Sequence, residues 1–179
     1  FNLEIEFIET RLNAKTARLA QGFTVVCCFV NDKIDADCIG ELKRQGVKLI
    51  ALRSAGFNHV DLVAAQHEGL TVCRVPGYSP HAVAEFTVGL ILSLNRKIHR
   101  AHMRVREQNF SLEGLVGFDM VGKTVGILGA GKIGKIVAQV MAAFGCQVLV
   151  YDVQRDPELE KHSSIRYTSL SDLCSKADI

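Results

Sequence analysis

Short apolar runs alternate with amphipathic stretches along the first half of the chain. Runs of strand length occupy positions 3–8, 25–30, 47–52 and 70–75, and helical spacing of apolar residues at 13–21, 35–45 and 61–68 predicts short helices between them. Asp35 stands where it can cap the helix over 35–45, and Gly22, Gly46 and Gly69 each stand where a helix should stop. Strands separated by single helices imply a parallel sheet covered on both faces. Pro76-Gly77-Tyr78-Ser79-Pro80 interrupts the pattern and divides the chain into domains at 1–78 and 79–179. A long helix is expected next, over 81–108. Its first half is apolar almost all round and should be buried, whereas its second half is basic and should be wet.

The alternation resumes at Thr124 with a different turn. Thr124-Val125-Gly126-Ile127-Leu128 reads as a strand, Gly129-Ala130-Gly131-Lys132-Ile133-Gly134 follows it, and a helical pattern runs over 132–144 until Gly145 stops it. A second apolar strand over 146–151 ends on Asp152. Strand, Gly-x-Gly-x-x-Gly, helix, strand and terminal acid within 29 residues form the layout of a dinucleotide-binding unit. Gly129 allows the tight turn, Gly131 lets the backbone approach a pyrophosphate, and Gly134 lets helix and strand pack closely. The free N–H groups and positive dipole end of the helix face the phosphates. Asp152, 18 residues after Gly134, is placed to accept from ribose hydroxyls. It also selects NAD over NADP, since two unit charges about 4 Å apart repel by about 4 kcal/mol at an effective dielectric near 20. Arg155, three residues on, would have to outweigh that repulsion to hold a 2′-phosphate.

Composition narrows the class. The 179 residues are 48% hydrophobic, sufficient for one large or two small cores. No uncharged apolar stretch is long enough to span a membrane, and the acidic N-terminus has no basic region of a signal peptide. Six cysteines form no Cys-x-x-Cys pair and no cluster of metal-ligand spacing, so reduced thiols in a cytoplasmic protein are expected, with no metal. Arg96, Lys97, Arg100, Arg104 and Arg106 concentrate positive charge in a chain whose net charge is only +2. No aromatics interleave them, which argues for a solvated face or a subunit contact rather than nucleic acid.

Three stretches together resemble the D-2-hydroxyacid dehydrogenase family, nearest its D-lactate dehydrogenase branch. They are Arg53-Ser54-Ala55-Gly56-Phe57-Asn58-His59-Val60-Asp61, then Val75-Pro76-Gly77-Tyr78-Ser79-Pro80-His81 through Phe86, then Asn95-Arg96-Lys97-Ile98-His99-Arg100. Asn109 to Gly114 and Gly117-Phe118-Asp119 fit the same branch. The resemblance implies an α/β protein in which a partial flavodoxin-like substrate domain precedes the first half of a Rossmann domain. It implies that Ala55 and Gly56 present backbone N–H groups to the substrate carboxylate and that Tyr78 lines the substrate cleft. It further implies that Lys132 and Ile133 lie on the NAD pyrophosphate and that Asp152 holds the adenosine ribose.

The implied reaction is hydride transfer between NADH and a 2-oxo acid such as pyruvate. The cofactor supplies the redox chemistry and the protein orients and polarises the carbonyl. The family's catalytic Arg, Glu and His would lie downstream of Ile179, so no residue of this chain is assigned to catalysis. His59 and His81, near helix starts, suit cap or surface roles, and Arg53 is beside the substrate loop without matching the catalytic arginine. Positions 3–8 match the family's second strand, and the chain opens on Phe1 without methionine, so a fragment that is inactive alone is expected. Its incomplete sheets would expose edges and apolar faces. A homodimer of the full-length protein through the 81–108 helix is also implied, with no nucleic acid or membrane partner. Two alternatives stay open: another reductase of the superfamily, acting on hydroxypyruvate, glyoxylate or phosphoglycerate, and a non-catalytic, NAD-binding corepressor-like protein.

Overall fold

The computed structural model describes residues 4–179 and divides them into two compact units that part between Tyr78 and Ser79. In the first unit, strands β1 (Val25–Cys28), β2 (Leu49–Leu52) and β3 (Thr71–Arg74) form a parallel sheet in that order. Cys27 pairs with Ala51 and Ala51 with Cys73. Helices α1 (Ala36–Arg44) and α2 (Leu62–His67) connect the strands. Asp35 and Asp61 cap them by accepting from the N–H groups of Cys38 (3.1 Å) and Ala64 (2.9 Å). The helices end on Gly46 and Gly69, whose φ of +92° and +67° is open to glycine at little cost. Ile34, Cys38, Ile39, Leu42, Val47 and Ile50 are the buried centre of this unit.

Among the described residues, only one face of this sheet is covered within the unit, contrary to the expectation of cover on both. Cys28, Ile50 and Leu52 are buried, while Val25, Cys27, Thr71 and Cys73 on the opposite face are exposed. Successive right-handed crossovers without a reversal of strand order put both helices on one side.

The expected strand over 3–8 is absent for residues 4–8, and Leu3 lies outside the described residues. A strand needs a hydrogen-bonded neighbour, and no described segment pairs with this one. The helix expected over 13–21 contracts to a 3-10 turn, Ala17–Ala20. Side chains compete for its backbone: Thr16 Oγ1 donates to Arg11 O and accepts from Asn13 N–H, and Asn13 Oδ1 accepts from Lys15 N–H.

The second unit opens with α3 (Pro80–Asn95) and α4 (Ile98–Arg106), two helices where one was expected. The buried side chain of Asn95 pairs with the backbone of Phe118 in both directions, Nδ2 donating to its O (2.8 Å) and Oδ1 accepting from its N–H (2.9 Å). Gly117 comes so close that a Cβ there would overlap the Asn95 carbonyl oxygen. Chain packed against the end of α3 stops the helix, and Lys97 turns away through φ +53°. Nor is the first half buried all round. Ala84, Val88, Ile91 and Leu92 face the core, while Phe86 (67%) and Leu94 (63%) are exposed. α4 buries no residue.

Strands β4 (Thr124–Leu128), β5 (Gln147–Tyr151) and β6 (Ile165–Tyr167) form the second parallel sheet, in the order β4-β5-β6. α5 (Lys132–Ala143), α6 (Pro157–Glu160) and α7 (Leu170–Lys176) complete the unit. Val125, Ile127, Ala138, Met141, Val148 and Val150 build its core. On the other side of β4, Gly126 N–H donates to Ile179 O and Asp178 N–H to Thr124 O, each at 2.8 Å. The chain that follows α7 therefore begins pairing on the free edge of β4. A strand on that side of β4 would reverse the strand order there, as at the nucleotide-binding crevice of doubly wound sheets.

Candidate functional site

Parallel strands deliver their ligand-binding loops at their carboxyl ends, and both sheets have one such loop beside a glycine. In the second unit, β4 runs into Gly129, whose φ is +89°. A Cβ at Gly134 would overlap the Gly129 carbonyl oxygen, so the turn and α5 can close only on glycine. Gly131 differs. Its φ of −65° suits any residue, and a Cβ there would meet nothing within 4 Å. Protein packing leaves that space open, as close approach by a ligand requires.

α5 starts at Lys132 without a side-chain cap, and its first intrahelical bond runs from Lys135 N–H to Gly131 O (2.9 Å). The N–H groups of Lys132, Ile133 and Gly134 thus have no helical acceptor and carry the positive end of the helix dipole. Both Lys132 and Ile133 are exposed. The residues therefore fit a pyrophosphate.

Asp152 follows β5, and its carboxylate accepts from two backbone groups: Ala130 N–H at 2.6 Å through Oδ2 and Gln154 N–H at 2.9 Å through Oδ1. These bonds, Gln154 first and Ala130 next, hold its pKa below the ordinary carboxylate value near 3.8. Each oxygen retains an acceptor site for a hydroxyl. The bond to Ala130 also ties the Gly-rich turn to the end of the neighbouring strand. Nothing in the sequence pattern indicated that second task. Arg155 is turned to Glu160 (3.2 Å) and stacks over the Tyr167 ring at 5.5 Å. Nearby, Lys135 Nζ pairs with Asp156 at 2.6 Å, joining α5 to the start of α6.

In the first unit, β2 leads into Arg53-Ser54-Ala55-Gly56-Phe57. Three consecutive carbonyls there are tied: Ser54 O accepts from Val75 N–H (3.2 Å), Ala55 O from Arg74 Nη1 (2.9 Å), and Gly56 O from the Ser54 hydroxyl (2.8 Å). In a planar trans peptide the N–H points opposite to the C=O. The N–H groups of Ala55, Gly56 and Phe57 are thereby aimed away from those donors, and no described protein group accepts from them. Ser54 is itself buried (6% exposed). A cavity of about 140 Å³ lies at the base of the loop, lined by Leu52, Phe57, Leu62, Val72, Cys73 and Arg74.

Tyr78 is 76% exposed, three residues beyond the Val75 that bonds Ser54. Arg53 stacks over the Phe29 ring at 5.1 Å and reaches none of the three carbonyls through its side chain. His59 has a ring nitrogen, Nε2, that is buried without a partner. Arg74 was missed by the sequence reading. Its signal was a single cation within the otherwise uncharged run over 70–75. Among the described residues, no group of His, Cys, Asp and Glu is arranged to hold a metal ion, and no helix is long and apolar enough to cross a membrane.

Residues 1–171 match the family model for the D-isomer specific 2-hydroxyacid dehydrogenase catalytic domain. The chain is 56% identical over 176 residues to 2-hydroxyacid dehydrogenase homolog 1 of Schizosaccharomyces pombe, covering 98% of this chain and 53% of that protein. It is 48% identical over 179 residues to the D-lactate dehydrogenase of Escherichia coli, covering 100% and 54%. The apo-structure of that enzyme superposes with a TM-score of 0.91 over 99% of this chain and 56% of the solved one. A D-lactate dehydrogenase from Aquifex aeolicus, solved with NAD and lactic acid, is 34% identical with a TM-score of 0.80, covering 90% and 48%. The chain spans about half the length of the curated relatives it matches.

Proposed function

The chain belongs to the D-isomer specific 2-hydroxyacid dehydrogenase family, and from that premise we propose that it carries the carboxylate-binding and dinucleotide-binding loops of an NAD-dependent reductase of 2-oxo acids, with pyruvate and D-lactate as the reacting pair. The observation that carries this reading is a pair of loops at the carboxyl ends of β2 and β4, each offering backbone N–H groups without protein acceptors.

When bound, NADH supplies a hydride to the substrate's carbonyl carbon. The chain's own residues bind and orient. Ala55 and Gly56 donate N–H groups to the substrate carboxylate, which binds the charge without burying a counter-charge, and Tyr78 provides a wall of the substrate cleft. Gly131 gives the pyrophosphate room, Lys132 and Ile133 donate backbone N–H groups to it, and Gly129 and Gly134 keep the turn closed. Asp152 accepts from the ribose hydroxyls and repels a 2′-phosphate. Arg155, held by Glu160 and Tyr167, is not directed at such a phosphate. The proton taken up by the carbonyl oxygen is assigned to none of the 179 residues; the family resemblance assigns it to an imidazolium held by a carboxylate, with an arginine binding the substrate. A substrate domain over 1–78, a nucleotide domain over 79–179, a cytoplasmic setting and a homodimer belong to the same proposal.

A second reading keeps the reaction and changes the acid. The relative at 56% identity is named only a 2-hydroxyacid dehydrogenase homolog, so hydroxypyruvate and glyoxylate stand beside pyruvate. NADH oxidation by the complete gene product over a panel of 2-oxo acids separates the two. The highest kcat/KM on pyruvate supports the first reading, and the highest on another acid replaces it.

A further inference from the structure

Arg74 is the last residue of β3 and has no role in the function proposed above. Its guanidinium is fixed at two points on the loop that follows β2. Nη1 donates to the Ala55 carbonyl at 2.9 Å, and the guanidinium carbon lies 5.2 Å from the centre of the Phe57 ring. The first contact is a charge-assisted hydrogen bond and the second a cation–π contact.

These contacts act on the peptide between Ala55 and Gly56. Holding its carbonyl against Arg74 sends its N–H the opposite way, because the peptide is planar and trans. The stacked Phe57 ring fixes the residue that bears the next N–H. Ser54 and Val75 hold the flanking carbonyls, but by neutral bonds, one of them at 3.2 Å. Among the described residues, Arg74 is the single charged side chain that bonds these three carbonyls.

We propose that Arg74 is a positioning residue for substrate binding: by anchoring the Ala55 carbonyl and the Phe57 ring, it keeps the Gly56 N–H aimed at the substrate carboxylate. The proposal rests on the 2-oxo acid reading for the identity of the anion. Lysine cannot replace the planar fork, since an ammonium can donate to the carbonyl but cannot also stack its plane on the ring. Arg53 is the control. It carries the same charge at the same end of the sheet and stacks on Phe29, yet its side chain contacts none of the three carbonyls.

The test compares Arg74→Met, Arg74→Lys and Arg53→Met in the complete gene product. Arg74→Met should raise KM for pyruvate about tenfold or more, and Arg74→Lys should recover less than about half of that loss, with KM for NADH within about twofold throughout. Arg53→Met should leave KM for pyruvate within about twofold. An unchanged KM in Arg74→Met, an equal rise in Arg53→Met, or full recovery by lysine would each overturn the proposal, the last by showing that charge alone suffices. If the unaltered protein reduces no 2-oxo acid, the reaction reading fails and Arg74 is decided by the free protein. There the Gly56 amide must shift and exchange its hydrogen faster in Arg74→Met, and an unchanged amide overturns the proposal.

Discussion

Gly131 and Gly134 stand one helical turn apart, and the protein itself requires only the second. A methyl group at Gly134 would overlap the Gly129 carbonyl oxygen, whereas at Gly131 it would enter open space at a backbone angle that alanine adopts freely. Gly134→Ala should therefore lower the thermal midpoint and weaken NADH binding together. Gly131→Ala should leave the midpoint within about a degree while weakening NADH binding about tenfold or more, since one lost oxyanion-type approach is of that order. Calorimetry beside NADH fluorescence titration checks both. Equal NADH affinity in Gly131→Ala and the parent protein would remove the pyrophosphate from this loop. Asp152 bonds Ala130 N–H and so ties the Gly-rich turn to the end of β5, beside the ribose role proposed for it. Backbone bonds present only in the folded chain hold its pKa below the ordinary carboxylate value. That contribution is complete above about pH 3.8 and is lost as pH falls through the lower folded value.

The two loops share a construction principle: each is tied by a charged side chain from the end of the next strand, Arg74 of β3 for one and Asp152 after β5 for the other. Helix ends depend on equally local chemistry. Asp35→Ala removes the cap from α1 and should cost about 1 kcal/mol, seen as a lower urea midpoint for the first unit. The break between α3 and α4 depends on a distant contact instead. Asn95→Ala leaves the backbone N–H and C=O of Phe118 without partners in a part-buried place and should cost about 1–3 kcal/mol in the second unit. This difference explains what could be read in advance. The capped, glycine-stopped helices α1 and α2 and the glycine-stopped α5 follow from residues within one turn of their ends, and the Gly-rich turn is equally local. The end of α3 depends on Gly117 and Phe118, more than 20 residues downstream, and no periodicity within the helix records it. Arg74 was missed for the same reason, since its partner Ala55 is 19 residues away. The early helix over 13–21 failed through local competition, with Thr16 and Asn13 taking the backbone groups that α-helix would use.

Across the chain, two parallel sheets are each dressed by their own helices, and the exposed face of the first has a chemical signature. Cys27 and Cys73 lie exposed on it, while Cys28 and Cys38 are buried beneath the opposite face. A thiol reagent should modify Cys27, Cys73 and Cys174 rapidly in the native 179-residue chain and reach Cys28, Cys38 and Cys146 only on unfolding. Burial pushes the Cys28 and Cys38 thiols from 9.0 up to about 12. The unfolded chain ionises them first, so their contribution to the first unit is complete below pH 9.0 and is lost as pH rises towards about 12. Replacing both by alanine should flatten the alkaline fall in its urea midpoint. Backbone pairing by residues 178 and 179 on the side of β4 away from β5 puts the Gly-rich turn at the position where doubly wound sheets bind nucleotides, and the chain belongs to the D-isomer specific 2-hydroxyacid dehydrogenase family. The most direct measurement is to incubate the complete gene product with NADH and pyruvate and to determine both the NADH consumed and the handedness of the product. D-lactate is expected in equal amount to the NADH oxidised, with NADPH a poor substitute. Tight NADH binding without oxidation by pyruvate or any other 2-oxo acid would contradict that expectation.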